Sequence, residues 1–134
     1  MQAESARFVS SLIPHTIGAT IVALSGDLGA GKTTFVQGIA RALGVTETVT
    51  SPTFVLEKIY PLVDQSFARL IHIDAYRLNS ADELHALGWD DIIADRENLV
   101  LVEWPEKVAD AIPEYAIRIM IEGSGESREI TYEK

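Results

Sequence analysis

Eight consecutive residues, positions 26–33, read Gly-Asp-Leu-Gly-Ala-Gly-Lys-Thr. They match G-x-x-x-x-G-K-S/T, the P-loop that cradles nucleoside phosphates. Glycines lack a Cβ, so the backbone can bring its N–H groups against phosphate oxygens, and a helix that starts here adds further unpaired N–H groups. Lys32 supplies a full positive charge for the β- and γ-phosphates, and the Thr33 hydroxyl can bind Mg²⁺. The pattern predicts a nucleoside triphosphate site formed by Gly26, Asp27, Leu28, Gly29, Ala30, Gly31, Lys32 and Thr33.

The segments on either side of this loop fit a P-loop. Residues 20–25 are short and mostly apolar, which predicts a buried strand, and residues 34–43 predict a helix that ends at Gly44. The alternative is a glycine-rich turn with an exposed lysine. The order strand, loop, helix favours the phosphate site.

A P-loop also needs an acidic group to hold the Mg²⁺ shell or to position water. Glu103 follows the aliphatic run 99–102, and Asp74 follows the run 70–73. Ligands of α/β sheets bind beyond the carboxyl ends of the strands, so both acids are candidates, although a charge at a strand end is usually only solvated. We favour Glu103 for Mg²⁺, and which acid contacts the ion stays open. Thr53, in the loop that begins Ser-Pro-Thr, could close over the γ-phosphate, although Ser-Pro often only starts a strand.

The aromatic and histidine residues give weaker signals. For Trp89 and Trp104 we favour packing in the core or at a partner surface over stacking on a base. The histidines have no metal-ligand spacing. His72 and Asp74 alternate onto the same face of one predicted strand, which by itself assigns no role to His72.

The remaining patterns predict a three-layer α/β domain of the P-loop NTPase type, with a mixed sheet and a C-terminal β-hairpin. Residues 80–83 match a capping box that opens a short helix ending at Gly88. We expect one helix over 4–13, one turn of helix over 90–94, antiparallel strands over 53–60 and 68–74, a central strand over 99–102, and hairpin strands over 115–122 and 128–132.

The composition restricts the function classes. The 134 residues predict a single domain over 1–134. The net charge of −9, without a cluster of Lys and Arg, argues against a large nucleic-acid footprint. No cysteine is present, so no disulfide partner is expected. No apolar run approaches the ~20 residues that span a membrane, and the N-terminus is not a signal peptide. We expect a cytoplasmic protein.

Four segments together resemble the bacterial TsaE family of tRNA threonylcarbamoyladenosine biosynthesis proteins. They are SGDLGAGKTTF at 25–35, SPTF at 51–54, HIDAYRL at 72–78 and LVEWP at 101–105. The resemblance covers roughly residues 3 to 130. It implies a small ATPase that works with the TsaD and TsaB proteins, where TsaD transfers the threonylcarbamoyl group and ATP hydrolysis resets the complex between turnovers. tRNA would then be contacted only indirectly.

Residue roles carried over by position are what the resemblance implies. Lys32, Thr33 and Thr34 match phosphate-binding residues, and Thr33 and Glu103 match the magnesium site. Asp74 and Thr53 match residues important for hydrolysis. Arg128 matches a nucleotide-contacting region, and Gln2 or Ser5 a helix that borders the base. The absence of Asn-Lys-x-Asp favours ATP over GTP.

Two other function classes stay open. A small-molecule P-loop kinase would need an acceptor pocket and usually an arginine-rich lid, whereas the arginines after the P-loop are dispersed. A nucleotide-dependent interaction module would bind ATP without needing to cleave it. The acids Asp74 and Glu103 argue against this second class without excluding it.

Overall fold

The computed structural model describes residues 2–12, 18–26, 32–46, 57–124 and 127–133. The strands of these segments are β1 (Thr20–Ser25), β2 (Glu57–Pro61), β3 (Arg69–Asp74), β4 (Asn98–Glu103), β5 (Ile117–Ser124) and β6 (Ser127–Glu133). The α-helices are α1 (Gln2–Ser11), α2 (Lys32–Ala42), α3 (Ala81–His85) and α4 (Trp89–Ala94), and Pro105–Ala111 forms a 3₁₀ helix. None of the described helices is long and apolar enough to cross a membrane.

The described strands form one sheet in the order β2-β3-β4-β1-β5-β6. β1 pairs in parallel with both β4 and β5, and β3 pairs in parallel with β4. The outer pairs β2–β3 and β5–β6 are antiparallel, as their short connections require. The predicted mixed sheet and terminal hairpin are therefore confirmed. The carboxyl ends of β1, β3 and β4 meet at one edge of the sheet.

Helices cover both faces of the sheet, which confirms the three-layer prediction. Side chains alternate along β1, so Val22 and Leu24 pack with α1 and α2, whereas Ile21 and Ala23 pack with α3, α4 and the 3₁₀ helix. β4 lies between β3 and β1 and is buried along its whole length. Its continuous aliphatic run is what a strand covered on both faces requires.

Glycine ends α2 as the sequence predicts. Gly44 has a φ of +86°, a conformation that residues with a Cβ adopt at a cost. The next N–H, of Val45, donates to the carbonyl of Ala40 at 2.9 Å and closes the helix end. The helix that begins at Lys32 therefore ends where Gly44 turns the chain.

One local prediction differs from the structure, and one element was not predicted. The capping box at Ser80 is wrong, because Ser80 makes no side-chain cap bond and the Glu83 carboxylate instead accepts the N–H of Asn79 at 2.9 Å. The 3₁₀ helix after β4 was not predicted. Pro105 starts it, because a proline at the first helical position lacks only an N–H that would have no partner within the helix. The first part of the predicted strand 53–60 and the end of helix 4–13 lie outside the described residues.

Candidate functional site

Of the predicted phosphate loop, the structure describes Gly26 at its start and Lys32 and Thr33 at its end. β1 ends at Ser25, and Gly26 has a φ of +147°, which a glycine adopts without strain. α2 begins at Lys32, so strand and helix stand on either side of the loop as a P-loop requires. Thr33 and Thr34 lie in the first turn of α2 and are partly buried. The candidate residues Asp27, Leu28, Gly29, Ala30 and Gly31 lie outside the described residues, as does Thr53.

The Lys32 side chain is buried at the edge of the sheet and makes two contacts that define its position. Its Nζ donates to the carbonyl of Gly26 at 2.6 Å. The same atom lies 3.6 Å from the centroid of the Trp104 ring, well inside the ~6 Å range of cation–π attraction. Only 5 % of Lys32 is exposed, so both contacts act with little screening by water. The ammonium is thus held between the start of the loop and an aromatic ring.

Asp74 and Glu103 come together at the same edge. They end the neighbouring parallel strands β3 and β4 and are register partners. The carbonyl of Glu103 accepts the N–H of Ala75 at 2.9 Å, so the two strand ends are also joined by their backbones. Glu103 is buried, whereas Asp74 is half-buried. The two acids predicted from separate stretches of sequence therefore form one pair.

Burial raises the pKa of the Asp74 carboxyl above its ordinary value. The N–H of Tyr76, which donates to Asp74 Oδ1 at 3.0 Å, acts in the opposite direction on this pKa. The Glu103 charge raises it, and His72 and Lys32 lower it. The balance is a raised pKa, so the Asp74 carboxylate takes up a proton more readily than an exposed aspartate does.

A contact that the sequence analysis missed connects His72 to Glu103. His72 lies on β3 and is fully buried, and its Nε2 is 2.5 Å from Glu103 Oε2. His72 is the register partner of Leu101, so its ring reaches diagonally to the end of the neighbouring strand. The signal for it was the alternation of His72 with Asp74, which places both on one face. Which residue of another strand would meet His72 could not be inferred without the strand order.

The two tryptophans differ in their surroundings. Trp89 is 1 % exposed in the core, and its indole N–H donates to the carbonyl of Ala111 at 3.1 Å, so its predicted packing role is confirmed. Trp104 is only partly buried, and the ring of Tyr76 lies beside it with centroids 5.0 Å apart. Tyr76 is 46 % exposed. Trp104 therefore lies between the buried ammonium of Lys32 and an exposed aromatic ring.

The two looser candidates lie in different places. Ser5 is fully buried, and its hydroxyl donates to the carbonyl of Phe35 at 3.2 Å, between α1 and α2. Its proposed contact with a base stays a prediction. The backbone of Arg128 in β6 pairs with Gly123 of β5. Gly123 follows Met120, which is the β5 partner of Ser25 at the carboxyl end of β1. The Arg128 backbone is therefore on the carboxyl side of the sheet, the side on which β1 ends before Gly26.

Two of the described site residues offer oxygen ligands for a metal ion. Among the described residues, no group of three or more His, Asp or Glu side chains is placed to hold a metal ion. The Thr33 hydroxyl and the Glu103 carboxylate supply oxygens, which Mg²⁺ prefers, and Mg²⁺ usually needs only one or two protein ligands beside phosphates. Thr33 and Glu103 thus offer the kind of oxygen ligands that Mg²⁺ takes beside phosphates.

Comparison with known proteins finds similar sequences over most of the chain. A family model described as "Threonylcarbamoyl adenosine biosynthesis protein TsaE" matches residues 1–130. A Bacillus subtilis protein named tRNA threonylcarbamoyladenosine biosynthesis protein TsaE is 40% identical over 113 residues, which are 84% of this chain and 68% of that protein. A protein of the same name from Borreliella burgdorferi is 35% identical over 119 residues, or 87% of this chain and 83% of the relative.

A solved structure is similar as well. The crystal structure of Bacillus subtilis YdiB superimposes with a TM-score of 0.71 at 32% sequence identity. The match covers 98% of this chain and 79% of YdiB. The similarity therefore extends over the whole arrangement of strands and helices that carries the candidate site.

Proposed function

The chain belongs to the TsaE family of threonylcarbamoyl adenosine biosynthesis proteins, and from this premise we propose that it is the ATP-hydrolysing subunit of the machinery that makes threonylcarbamoyladenosine in tRNA. One observation carries the proposal. The Lys32 ammonium, at the start of the helix that follows the glycine loop, shares an edge of the sheet with the acid pair Asp74 and Glu103. A triphosphate needs cations on its oxygens and carboxylates near its metal and its attacking water, and this edge supplies both.

Each residue has a distinct part in hydrolysis. Lys32 binds the β- and γ-phosphate oxygens, and Thr33 and Glu103 hold Mg²⁺ from the protein side. Mg²⁺, when bound, neutralises charge on the phosphate oxygens. Asp74 orients the attacking water and accepts its proton, and the N–H of Tyr76 on Oδ1 holds the carboxylate in place. The raised pKa of Asp74 makes it a stronger base than an ordinary carboxylate.

The charge of the chain supports a subunit that acts through protein partners. Acidic residues outnumber basic ones 20 to 11, and phosphate backbones are bound by clustered Lys and Arg. We therefore assign tRNA contact to the partners, and we propose TsaD and TsaB in that role. ATP hydrolysis would be slow for the isolated chain and would change in rate when the TsaD–TsaB pair is added.

Phosphate release tests this coupling directly. Steady-state release is measured for the purified chain alone and with the TsaD–TsaB pair, and the fate of the γ-phosphate is followed with labelled ATP. We expect inorganic phosphate as the product and a rate that depends on the partners. Fast turnover that the partners leave unchanged would refute the coupling. Label that ends on a metabolite would instead identify a small-molecule kinase.

Replacing Glu103 tests whether hydrolysis itself is needed. Glu103→Gln keeps the size of the side chain and one oxygen, and Glu103→Ala removes both oxygens. We expect either variant to bind ATP within a few-fold of the wild-type affinity, and hydrolysis and tRNA modification to be lost. Glu114→Ala, which removes an exposed acid outside the site, serves as the control. Normal modification in cells that carry Glu103→Ala would mean that the chain is a nucleotide-dependent interaction module.

A further inference from the structure

We propose that His72 is a positioning residue that fixes the Glu103 carboxylate for Mg²⁺ through the contact between its Nε2 and Glu103 Oε2. The inference rests on the proposed function, because it assigns Glu103 to the Mg²⁺–nucleotide complex. It goes further by adding a residue that does not itself reach the ion or the phosphates.

The contact is buried on both sides. His72 is 0 % exposed and Glu103 is 3 % exposed, so water does not compete for either group. A carboxylate in such a place requires hydrogen-bond donors, because burying it without them is strongly unfavourable. Among the side-chain contacts that the structure records for Glu103, the histidine ring supplies this donor at 2.5 Å. The orientation of the carboxylate therefore depends on the ring.

The direction of the bond follows from the atoms. An ionised carboxylate only accepts hydrogen bonds, so His72 Nε2 must carry the proton and donate it to Oε2. The other ring nitrogen, Nδ1, is buried without a hydrogen-bond partner in the part of the chain that the structure describes. A proton on Nδ1 would leave a buried donor unsatisfied, which favours the tautomer with its proton on Nε2. The ring is thus set to donate to Glu103.

The sheet places the ring beside Glu103. His72 is one pleat below Asp74 on β3, and the backbones of β3 and β4 are paired from Arg69↔Asn98 to Asp74↔Glu103. The ring therefore fixes one oxygen of Glu103 from within the sheet, at the end of a fully buried strand. Carboxylates that bind metals are commonly oriented by such hydrogen bonds, and losing one typically lowers metal affinity or activity 10- to 100-fold.

A matched pair of variants separates positioning from simple packing. His72→Leu and His72→Gln both remove the ring, but only the glutamine retains an N–H donor that can reach Glu103. The first readout is the affinity for Mn²⁺ in the presence of a non-hydrolysable ATP analogue. The second is the Mg²⁺ concentration that half-saturates ATP hydrolysis. Nucleotide affinity in EDTA and the melting temperature serve as controls.

We expect His72→Leu to weaken Mn²⁺ affinity and to raise the half-saturating Mg²⁺ concentration, each by roughly 10- to 100-fold. Nucleotide affinity in EDTA should stay within a few-fold of wild type. His72→Gln should recover most of the loss at a similar melting temperature. Equal metal affinity in the wild type and the leucine variant would overturn the inference. So would two variants that lose metal affinity equally, because the donor would then be irrelevant.

A measurement on the unchanged protein covers the case in which the leucine variant does not fold. The ¹⁵N chemical shift of His72 Nε2 is recorded with the ATP analogue, before and after Mg²⁺ is added. We expect a clear change, because Mg²⁺ withdraws electron density from the carboxylate that accepts the Nε2–H bond. An unchanged shift at saturating Mg²⁺ would refute the link between His72 and the metal.

The failure of the inference and the failure of the proposed function give different results. If the wild type hydrolyses ATP and the variants match it in metal dependence, the positioning role is wrong and the proposed function stands. If the wild type does not hydrolyse ATP but His72→Leu still loses Mn²⁺ affinity, the positioning role stands and the proposed hydrolysis is wrong. If the wild type binds neither metal nor nucleotide, both are wrong.

Discussion

Replacing Trp104 by leucine tests whether its ring holds the Lys32 ammonium in the nucleotide-free protein. The ammonium lies 3.6 Å from the ring centroid, and Lys32 is only 5 % exposed. A cation–π contact in such a desolvated place contributes about 2 kcal/mol. If Lys32 leaves the ring to bind the β- and γ-phosphates, this contact stabilises only the unbound state. Removing it should therefore strengthen ATP binding.

The expected size follows from the same contact. If the nucleotide-free protein loses about 2 kcal/mol of stabilisation, ATP affinity increases by up to roughly 25-fold, since about 1.4 kcal/mol corresponds to a tenfold change in affinity. Trp104 has a φ of +60°, a strained conformation for any residue with a Cβ. Tryptophan and leucine both carry a Cβ and a γ carbon, so the backbone strain at this position is nearly the same in wild type and variant. The variant keeps the hydrogen bond from Lys32 to Gly26, so the ammonium does not lose all of its support.

Isothermal titration calorimetry with a non-hydrolysable ATP analogue measures the effect. AMP is the control ligand, because it lacks the β- and γ-phosphates that Lys32 would bind, and its affinity should not change. Unchanged or weaker binding of the ATP analogue to Trp104→Leu would refute the reasoning. The ring would then keep its contact with Lys32 in the nucleotide complex, or contribute little in either state.

Two further predictions concern stability. Burial raises the pKa of Asp74 in the folded protein, so folding stability increases as pH falls through that pKa, and at neutral pH the ionised group is destabilising. Asp74→Asn should thus have a higher melting temperature than wild type at pH 7, and this difference should shrink in acid. Asp110→Asn, at an exposed position, controls for the lost charge. A difference in melting temperature that does not depend on pH would contradict this. Gly18→Ala should cost about 1–3 kcal/mol, since its Cβ would lie 2.4 Å from the carbonyl oxygen of Ile93. Gly88→Ala, with a φ of +87° and open space, measures backbone strain without a clash, and a negligible loss for Gly18→Ala in urea unfolding would show that its clash is relieved.

The sequence predicted the elements whose signals are local. The strand before the glycine loop, the helix after it and the stop at Gly44 depend on neighbouring residues, and each lies where the pattern indicated. The capping box at Ser80 shows the limit of such patterns. Glu83 can reach more than one backbone N–H, and it accepts that of Asn79 in the folded chain. A local motif fixes which groups are able to pair, and the surrounding structure selects the pair that forms.

The acids of the candidate site illustrate the same limit at longer range. Asp74 and Glu103 could each be placed at the end of a strand, because an aliphatic run precedes each of them. That they are register partners depends on β3 and β4 being neighbours, which no local pattern states. The contact between His72 and Glu103 joins residues 31 positions apart, and it exists only because the two strands are adjacent and parallel.

The sequence by itself determined the chemistry that is available: a glycine loop with a lysine, and acids at strand ends. Glycine conformations, strand alternation and helix ends are set within a few residues, so they can be read along the chain. Only the tertiary structure decided which of these groups meet, namely Lys32 with the Trp104 ring and His72 with Glu103. Such meetings depend on strand order and on the packing of distant residues, and the burial that strengthens them arises only when the whole sheet is covered.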